Sequence, residues 1–190
     1  MGNPLPKKYW DFCRTVRESG KFVQNVAIHK SGTDTMVIIG NIVIVDGSDT
    51  LQEWISNFRF ATTGRNDVHA GFAKAADCFF EQIKPILYKR GDWIFCGHSR
   101  GGAIVQALAL QCAQVGANAQ VVTFGSPKVG GKNFRTRMEA NRVVHVRVEM
   151  VGDSVPKWPL WLKHYETDFV PVANNEKTAK EKHLNYGEWL

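Results

Sequence analysis

The sequence has few cysteines and no long hydrophobic run. Its cysteines lie far apart and form no Cys-x-x-Cys pair, so the usual spacing of a zinc site is absent. No stretch approaches the roughly 20 apolar residues of a membrane-spanning helix, and the N-terminal residues lack the apolar segment of a signal peptide. We therefore expect no transmembrane segment and a cytoplasmic location, with release by lysis or another route left open. We also expect reduced, buried thiols at Cys13, Cys78, Cys96 and Cys112.

The sequence also lacks a concentrated basic region, although its net charge is +6. The lysines and arginines are scattered, with small groups at Lys7 and Lys8, at Lys89 and Arg90, and within residues 177–182. No basic helix interleaved with aromatic residues is present. We therefore expect no nucleic-acid partner, and a mild attraction to anionic surfaces, phospholipid included, explains the charge equally well.

Hydrophobic patterns of strands and helices alternate along the chain. Two β-branched runs flank a Gly-Asn turn signal, which predicts a hairpin. Short apolar runs typical of buried parallel strands then alternate with helical patterns. This order predicts a single α/β domain over residues 1–190, with a largely parallel central sheet flanked by helices. The predicted strands are 22–28, 35–39, 42–45, 92–97, 119–125 and 142–148, and the predicted helices are 8–19, 50–58, 70–88, 101–116 and 133–140.

One serine lies where a predicted strand meets a predicted helix. Ser99 stands in the G-x-S-x-G pattern formed by residues 97–101. A tight turn of this kind strains the serine and raises its hydroxyl at the carboxyl edge of the sheet, while Gly97 and Gly101 avoid a Cβ collision. The helix N-terminus lies under the site, and the amide of Arg100 is free to face a developing oxyanion. The pattern predicts a nucleophile, and a purely structural turn is the alternative.

A serine nucleophile needs a base and a carboxylate that orients the base. In sheets of this type the partners follow in the order serine, acid, histidine. Asp153 comes just after the predicted strand 142–148, which puts its carboxylate on the same sheet edge as Ser99. His164 and His183 both follow, and their order along the chain does not choose between them. His98 adjoins Ser99, and we expect it to be structural and to point away from it.

Six ordered motifs resemble the class 3 lipase family of α/β-hydrolases, which contains the fungal triacylglycerol lipases and related phospholipases. The motifs span roughly residues 22–186 and are IVIVDGSDTLQEW, VHAGF, GHSRGGA, TFGSPKVGG, GDSVPKWP and KHLNY. The resemblance implies an α/β-hydrolase fold in which Ser99 is the nucleophile, Asp153 the acid and His183 the base. His164 then matches a family histidine that precedes a strand and is not catalytic.

The resemblance also implies an oxyanion hole and a lid. Ser48 would donate its backbone amide beside that of Arg100. The segment after Ser48 occupies the family's lid position, and its apolar residues recur at helical spacing. Such a stripe either covers the site in water and turns onto lipid, or is simply core. The stripe consists of Leu51, Trp54, Ile55 and Phe58.

Three positions depart from the family pattern. Asp46 replaces the usual arginine before Gly-Ser, Lys182 replaces the aspartate before the base, and Arg100 takes a place more often filled by leucine. The first two departures reverse a charge near the site, so they bear on substrate preference more than on catalysis.

The resemblance implies a serine carboxylic-ester hydrolase, a lipase that cleaves acylglycerol or related lipid esters through an acyl-enzyme. One alternative keeps the same triad in a phospholipase, a small-ester esterase or an acyltransferase. An alternative of another class is a catalytically silent binding module with a hydrolase fold. The expected partners are a lipid or ester substrate and, transiently, a lipid interface. The remaining histidines and acids form no metal constellation, so we expect no metal and no cofactor.

Overall fold

The chain folds into a twisted sheet with helices on both faces, and the computed structural model describes residues 4–19, 27–46, 67–87 and 91–190. The helices are α1 (Pro4–Ser19), α2 (Ala70–Leu87), α3 (Ser99–Gln114), α4 (Lys132–Ala140), α5 (Ala179–Leu184) and α6 (Tyr186–Trp189). A 3-10 turn covers Val155–Lys157. The strands are β1 (Ala27–Ser31), β2 (Asp34–Ile39), β3 (Ile42–Asp46), β4 (Asp92–His98), β5 (Asn118–Phe124), β6 (Val144–Met150) and β7 (Asp168–Val172).

The seven strands form one sheet in chain order from β1 to β7. The first three strands are antiparallel to one another, and β3 to β7 are parallel. Because parallel strands end at the same edge, the carboxyl ends of β4, β5 and β6 are neighbours: His98 pairs with Phe124, and Phe124 pairs with Val148. The predicted α/β fold with a largely parallel sheet is confirmed.

The two faces of the sheet bury separate apolar clusters. One cluster joins the sheet to α2, α3 and α4, with Phe79, Phe95 and Leu108 completely buried. The other joins the opposite face to α1 and α6 through Trp10 and Tyr186. Successive residues of a strand point to opposite faces of the sheet. A strand that is covered on both faces therefore has a continuous run of apolar residues in its sequence. This explains why β4 and β5 could be predicted from short hydrophobic runs without alternation.

Several predicted elements differ from the structure or lie outside it. Helix α1 begins four residues before its predicted start at residue 8. Most of the strand predicted at 22–28 lies outside the described residues, and β1 begins at Ala27. β7 was not predicted, because it is a mostly exposed edge strand that contains Pro171. Ser48 and the helix predicted at 50–58, which contains Leu51, Trp54, Ile55 and Phe58, fall outside the described residues.

The cysteines agree with most of the prediction that they are reduced and buried. All four cysteines are free; three are buried, whereas Cys78 on α2 is only partly buried, so its predicted burial was wrong. Its side chain lies between fully buried positions on α2 rather than on the buried stripe itself. Among the described residues, none of the helices is long and apolar enough to span a membrane.

His145 on β6 is completely buried in a neutral hydrogen-bond network. The carbonyl of Tyr165 can only accept, so His145 Nδ1 donates to it over 2.5 Å, and His145 Nε2 accepts from the Thr123 hydroxyl over 2.9 Å. Burial lowers the pKa of His145 to about 4. A neutral buried histidine of this kind resists protonation as long as the protein stays folded.

His145 is therefore expected to contribute to acid unfolding. Its pKa is lower in the folded than in the unfolded chain, so its contribution is complete above about pH 6.5 and is lost as pH falls towards 4. The loss should approach about 3 kcal/mol of unfolding free energy. Urea unfolding between pH 7 and pH 4 should give a shallower pH dependence for His145→Gln than for the unmodified protein. Parallel curves for the two proteins would contradict this prediction.

Candidate active site

Ser99 lies on the strained turn between β4 and α3. Its φ is +52°, in the left-handed region that costs a non-glycine residue about 1–2 kcal/mol. The turn is tight enough that a Cβ on Gly97 would lie 2.6 Å from the carbonyl carbon of Gly101 and 2.7 Å from the nitrogen of Gly102. Glycine is thus required at position 97, and the strained serine agrees with the turn that the sequence pattern predicts. The surrounding structure holds Ser99 in a conformation that it would not adopt alone.

Asp153 and His183 form a buried pair at the same edge of the sheet. Asp153 follows the end of β6 and is inaccessible to solvent. His183, on the short helix α5, donates its Nδ1–H to Asp153 Oδ2 over 2.8 Å. Asp153 Oδ1 accepts the backbone N–H of Val155 over 2.9 Å, which anchors the carboxylate to the loop after β6. Because Nδ1 carries the proton in this bond, neutral His183 has its lone pair on Nε2.

Tyr186 completes the shell around the carboxylate. Its hydroxyl donates to Asp153 Oδ2 over 2.8 Å and accepts the backbone N–H of Met150 over 2.9 Å. Burial, and then the charge of Asp153, raises the pKa of Tyr186, so the hydroxyl stays protonated and remains a donor. Asp153 is thereby held in one orientation by three donors.

The sheet brings His183 beside the strand that carries Ser99. Gly125 follows Phe124, and Ser99 follows His98, the pairing partner of Phe124. Gly125 and Ser99 therefore occupy matching positions just beyond the ends of adjacent strands. A Cβ on Gly125, where φ is +54°, would lie 2.8 Å from Asp153 Oδ2 and 3.0 Å from His183 Nδ1. The His183–Asp153 pair therefore packs directly against the backbone of Gly125, just after β5. The strand next to β5 is β4, which ends immediately before Ser99.

His98, the residue before Ser99, contacts His183 directly. His98 Nε2–H donates to the carbonyl oxygen of His183 over 2.7 Å, and the centres of the two rings are 4.6 Å apart. His183 Nε2 is buried and has no hydrogen-bond partner among the described residues. The imidazole is thus fixed at Nδ1, at its carbonyl and along its face, while Nε2 is left to accept a proton.

The structure distinguishes between His164 and His183, the two candidate bases that their order along the chain did not separate. His164 lies in the β6–β7 connection, and its Nε2 bonds the carbonyl of Pro156 over 2.8 Å. Burial, followed by the nearby charge of Arg147, lowers the pKa of His164 to about 3. It is His183 that meets Asp153.

The side chain of Arg100 points towards the antiparallel strands, where it forms a largely buried ion pair. Its Nε and Nη2 donate to the two carboxylate oxygens of Asp34 over 2.8 and 2.9 Å. Its guanidinium also lies 5.8 Å from the ring centre of Phe72. Asp34 begins β2, next to the end of β3, so the pair ties the start of α3 to the antiparallel part of the sheet. The backbone N–H of Arg100 belongs to the first turn of α3, where N–H groups have no partner within the helix.

Replacing Arg100 by leucine is expected to destabilise the fold by about 2–3 kcal/mol. The substitution leaves the Asp34 carboxylate, only 3% exposed, without its cation, and the partial exposure of Arg100 keeps the loss below that of a fully buried pair. The double variant Arg100→Leu/Asp34→Asn should regain much of the loss because no charge remains buried. Urea unfolding of the single and double variants checks this, and equal stability of Arg100→Leu and the unmodified protein would contradict it.

Four contributors to the site were not identified from the sequence: Asp34, His98, Gly125 and Tyr186. A usable signal existed for His98. It lies two residues after the buried Cys96, so it shares the sheet face that α1 and α6 cover. Gly125 and Tyr186 lay inside quoted motifs without an assigned role, whereas Asp34 had no local signal at all. Among the described residues, no group of three or more histidine, cysteine or acidic side chains could hold a metal ion.

A nucleophile-elbow turn at the carboxyl edge of a parallel sheet, with an acid and a histidine following in chain order, defines the α/β-hydrolase class. The structure resembles a lipase from Rhizopus microsporus var. chinensis, with a TM-score of 0.69 over 94% of this chain and 77% of that chain at 19% identity. It also resembles the triacylglyceride lipase of Rhizomucor miehei, with a TM-score of 0.65 over 90% of this chain and 79% of that chain at 20% identity. At these identities the likeness establishes the fold.

Within that class, the family described as "Lipase (class 3)" matches residues 42–163, and the chain belongs to it. A protein of Fusarium solani named secreted mono- and diacylglycerol lipase 1 is 28% identical over 75% of this chain and 48% of its own length. A chloroplastic phospholipase A1 of Arabidopsis thaliana, PLIP1, is 35% identical over 60% of this chain and 20% of its own length. The chain thus spans half or less of these relatives. Since their names indicate secretion or a chloroplast, the cytoplasmic location stays a prediction.

Proposed function

We propose that this chain is a serine carboxylic-ester hydrolase, a lipase that cleaves acylglycerols or related lipid esters through an acyl-enzyme. The observation that carries the proposal is His183, whose Nδ1 is bonded to a buried carboxylate while Nε2 has no partner among the described residues. This base lies one strand from a serine at positive φ. Membership of the class 3 lipase family supports the same chemistry.

In the acylation step, Ser99 Oγ attacks the ester carbonyl carbon as its proton passes to His183 Nε2. Asp153 accepts from His183 Nδ1 throughout, so it favours the imidazolium that forms and keeps the ring in place. The tetrahedral intermediate collapses, the bond to the leaving alcohol breaks, and that alcohol takes the proton from Nε2. The acyl group is left as an ester on Ser99.

In the deacylation step, a water molecule takes the place of the alcohol. His183 Nε2 accepts a proton from the water as its oxygen attacks the acyl-enzyme. The second tetrahedral intermediate then collapses, Ser99 Oγ regains the proton and the fatty acid departs. The same two residues therefore serve both half-reactions.

Stabilisation of the developing oxyanion is assigned to the backbone N–H of Arg100 and, from the family motif, to that of Ser48. The first-turn position of Arg100 on α3 adds the positive end of the helix dipole. Losing one donor of this type costs about 3–4 kcal/mol of transition-state stabilisation. The Arg100–Asp34 ion pair holds the start of α3, and with it this amide, against the sheet.

Hydrolysis of p-nitrophenyl esters of graded chain length tests the proposal. We expect hydrolysis of medium and long chains that rises above the concentration at which the substrate forms micelles, together with labelling by a fluorophosphonate. The rise would also support the predicted lid of Leu51, Trp54, Ile55 and Phe58, whereas activity on short dissolved esters alone would indicate an esterase without a working lid. A chain that hydrolyses no ester and resists the fluorophosphonate would contradict the proposal and favour the silent binding module.

A phospholipase A1 is the second candidate because three Arabidopsis relatives carry that name, at 35%, 40% and 25% identity. Fatty-acid release from diacylglycerol, triacylglycerol and phosphatidylcholine, measured under one set of conditions, separates it from the acylglycerol lipase. Preferential release from phosphatidylcholine would reassign the substrate class and leave the serine mechanism unchanged.

A further inference from the structure

The loop between β6 and β7 exposes a compact group of large apolar side chains. Leu160 is 67% exposed, Trp161 is 62% exposed and Trp158 is 37% exposed. These three residues, within four positions of the chain, are called the Trp158–Trp161 patch. Other exposed large apolar residues of the described part, such as Ile28 and Val144, lie singly on strands.

The backbone beneath the patch is fixed, although its side chains face solvent. The backbone N–H of Lys128 donates to the carbonyl of Trp158 over 2.8 Å, and Lys128 Nζ donates to the carbonyl of Lys157 over 2.8 Å. Pro159 and Leu162 are buried on either side of the exposed pair. The fold therefore holds Leu160 and Trp161 outward without needing them for its own packing.

The segment of chain that carries the patch has charge of one sign. Residues 154–165 contain no aspartate or glutamate, while Lys157 and Lys163 flank the patch and are exposed. The next acid, Glu166, is paired with Arg147. Exposed tryptophans between lysines suit the boundary between water and an anionic lipid layer, where the rings sit at headgroup level and the ammonium groups meet phosphates.

The patch belongs to the edge of the sheet that carries the candidate site. Its loop leaves the carboxyl end of β6 and includes Asp153, five residues before Trp158. Lys128, which holds the patch, follows the carboxyl end of β5 in the same loop as Gly125. A surface bound at the patch would therefore lie beside the sheet edge that carries Ser99 and the His183–Asp153 pair.

We propose that the Trp158–Trp161 patch docks the protein on the surface of an anionic phospholipid bilayer, with Lys157 and Lys163 contacting the headgroups. The part of this inference in which docking brings the bilayer to Ser99 rests on the proposed lipase function. The docking itself needs no hydrolysis. The patch supplies apolar anchors and cationic contacts together, the two contributions that hold proteins at such interfaces.

Vesicle flotation of the Ser99→Ala chain tests the docking without hydrolysis of the vesicles. We expect binding to vesicles of phosphatidylcholine with added phosphatidylglycerol and weaker binding to phosphatidylcholine alone. Leu160→Ser/Trp161→Ser should weaken binding to the anionic vesicles about tenfold or more. The control Ile28→Ser, which removes an apolar side chain that is 41% exposed on β1, should bind like the parent chain.

A second variant tests the lysines and does not depend on the apolar substitutions. Lys157→Glu/Lys163→Glu should abolish the preference for anionic vesicles, whereas Lys74→Glu/Lys84→Glu, an equal charge change on exposed positions of α2, should keep most of it. Equal binding by the parent and both patch variants would overturn the proposal. So would a parent chain that binds no vesicles, or one that instead self-associates through the patch in sedimentation velocity.

Hydrolysis of a dissolved short-chain ester by the unmodified protein keeps the two proposals apart. Patch-dependent vesicle binding without any ester hydrolysis would remove the proposed function and leave the docking surface. Ester hydrolysis without patch-dependent binding would remove the docking surface and leave the proposed function.

Discussion

Ser99→Ala is expected to abolish ester hydrolysis while the protein stays folded. The substitution removes the atom that attacks the carbonyl in the proposed mechanism, and in serine hydrolases with an intact triad the loss of the nucleophile lowers kcat by about 10⁴- to 10⁶-fold. Alanine keeps a Cβ at the same positive φ, so the unfolding free energy should change by less than about 1 kcal/mol. Steady-state hydrolysis of a p-nitrophenyl ester, together with urea unfolding, measures both effects.

The matched control for Ser99→Ala is Ser31→Ala. Ser31 ends β1 at the antiparallel side of the sheet, and the same atom is removed there. Ser31→Ala should keep full hydrolysis and full labelling by a fluorophosphonate, whereas Ser99→Ala should lose both. Hydrolysis by Ser99→Ala at the rate of the unmodified protein would exclude the serine mechanism.

Asp153→Asn is expected to lower kcat by about 10⁴-fold, the loss seen when a triad carboxylate becomes an amide. If the new amide nitrogen takes the place of Oδ2, it faces His183 Nδ1, which must then become an acceptor. The proton of His183 moves to Nε2, and the base can no longer receive the proton of Ser99. If the amide turns over, its nitrogen meets the backbone N–H of Val155, which is also a donor. Neither orientation reproduces the native network.

Tyr186→Phe is the comparison for Asp153→Asn. It removes one of the donors to Asp153 and leaves the carboxylate and its bond to His183 in place. We expect a loss in kcat of about tenfold and a destabilisation of about 1–2 kcal/mol, because the N–H of Met150 loses its acceptor. A loss for Asp153→Asn no larger than that for Tyr186→Phe would show that the carboxylate does not set the tautomer of His183.

The local sequence was enough for the features that depend on neighbouring residues. Gly97 and Ser99 follow an apolar run and precede a helical stretch, and the same few residues that form the turn also impose its strain. Hydrophobic periodicity reports which face of an element is buried, so strands β3 to β6 and helices α2 to α4 were predicted close to their true positions. Asp153 was found because it lies three residues after the end of a strand, which places it at the sheet edge.

Only the folded chain decided which distant side chains meet. His183 was favoured over His164 in the sequence by resemblance alone, and the structure separates them because α5 returns to the ends of β5 and β6. Tyr186 and Asp34 find their partners across more than thirty positions of the chain. The Trp158–Trp161 patch likewise follows from where the β6–β7 connection leaves its side chains. Periodicity carries no such information, because contacts between remote elements are set by sheet order and by how the connections run.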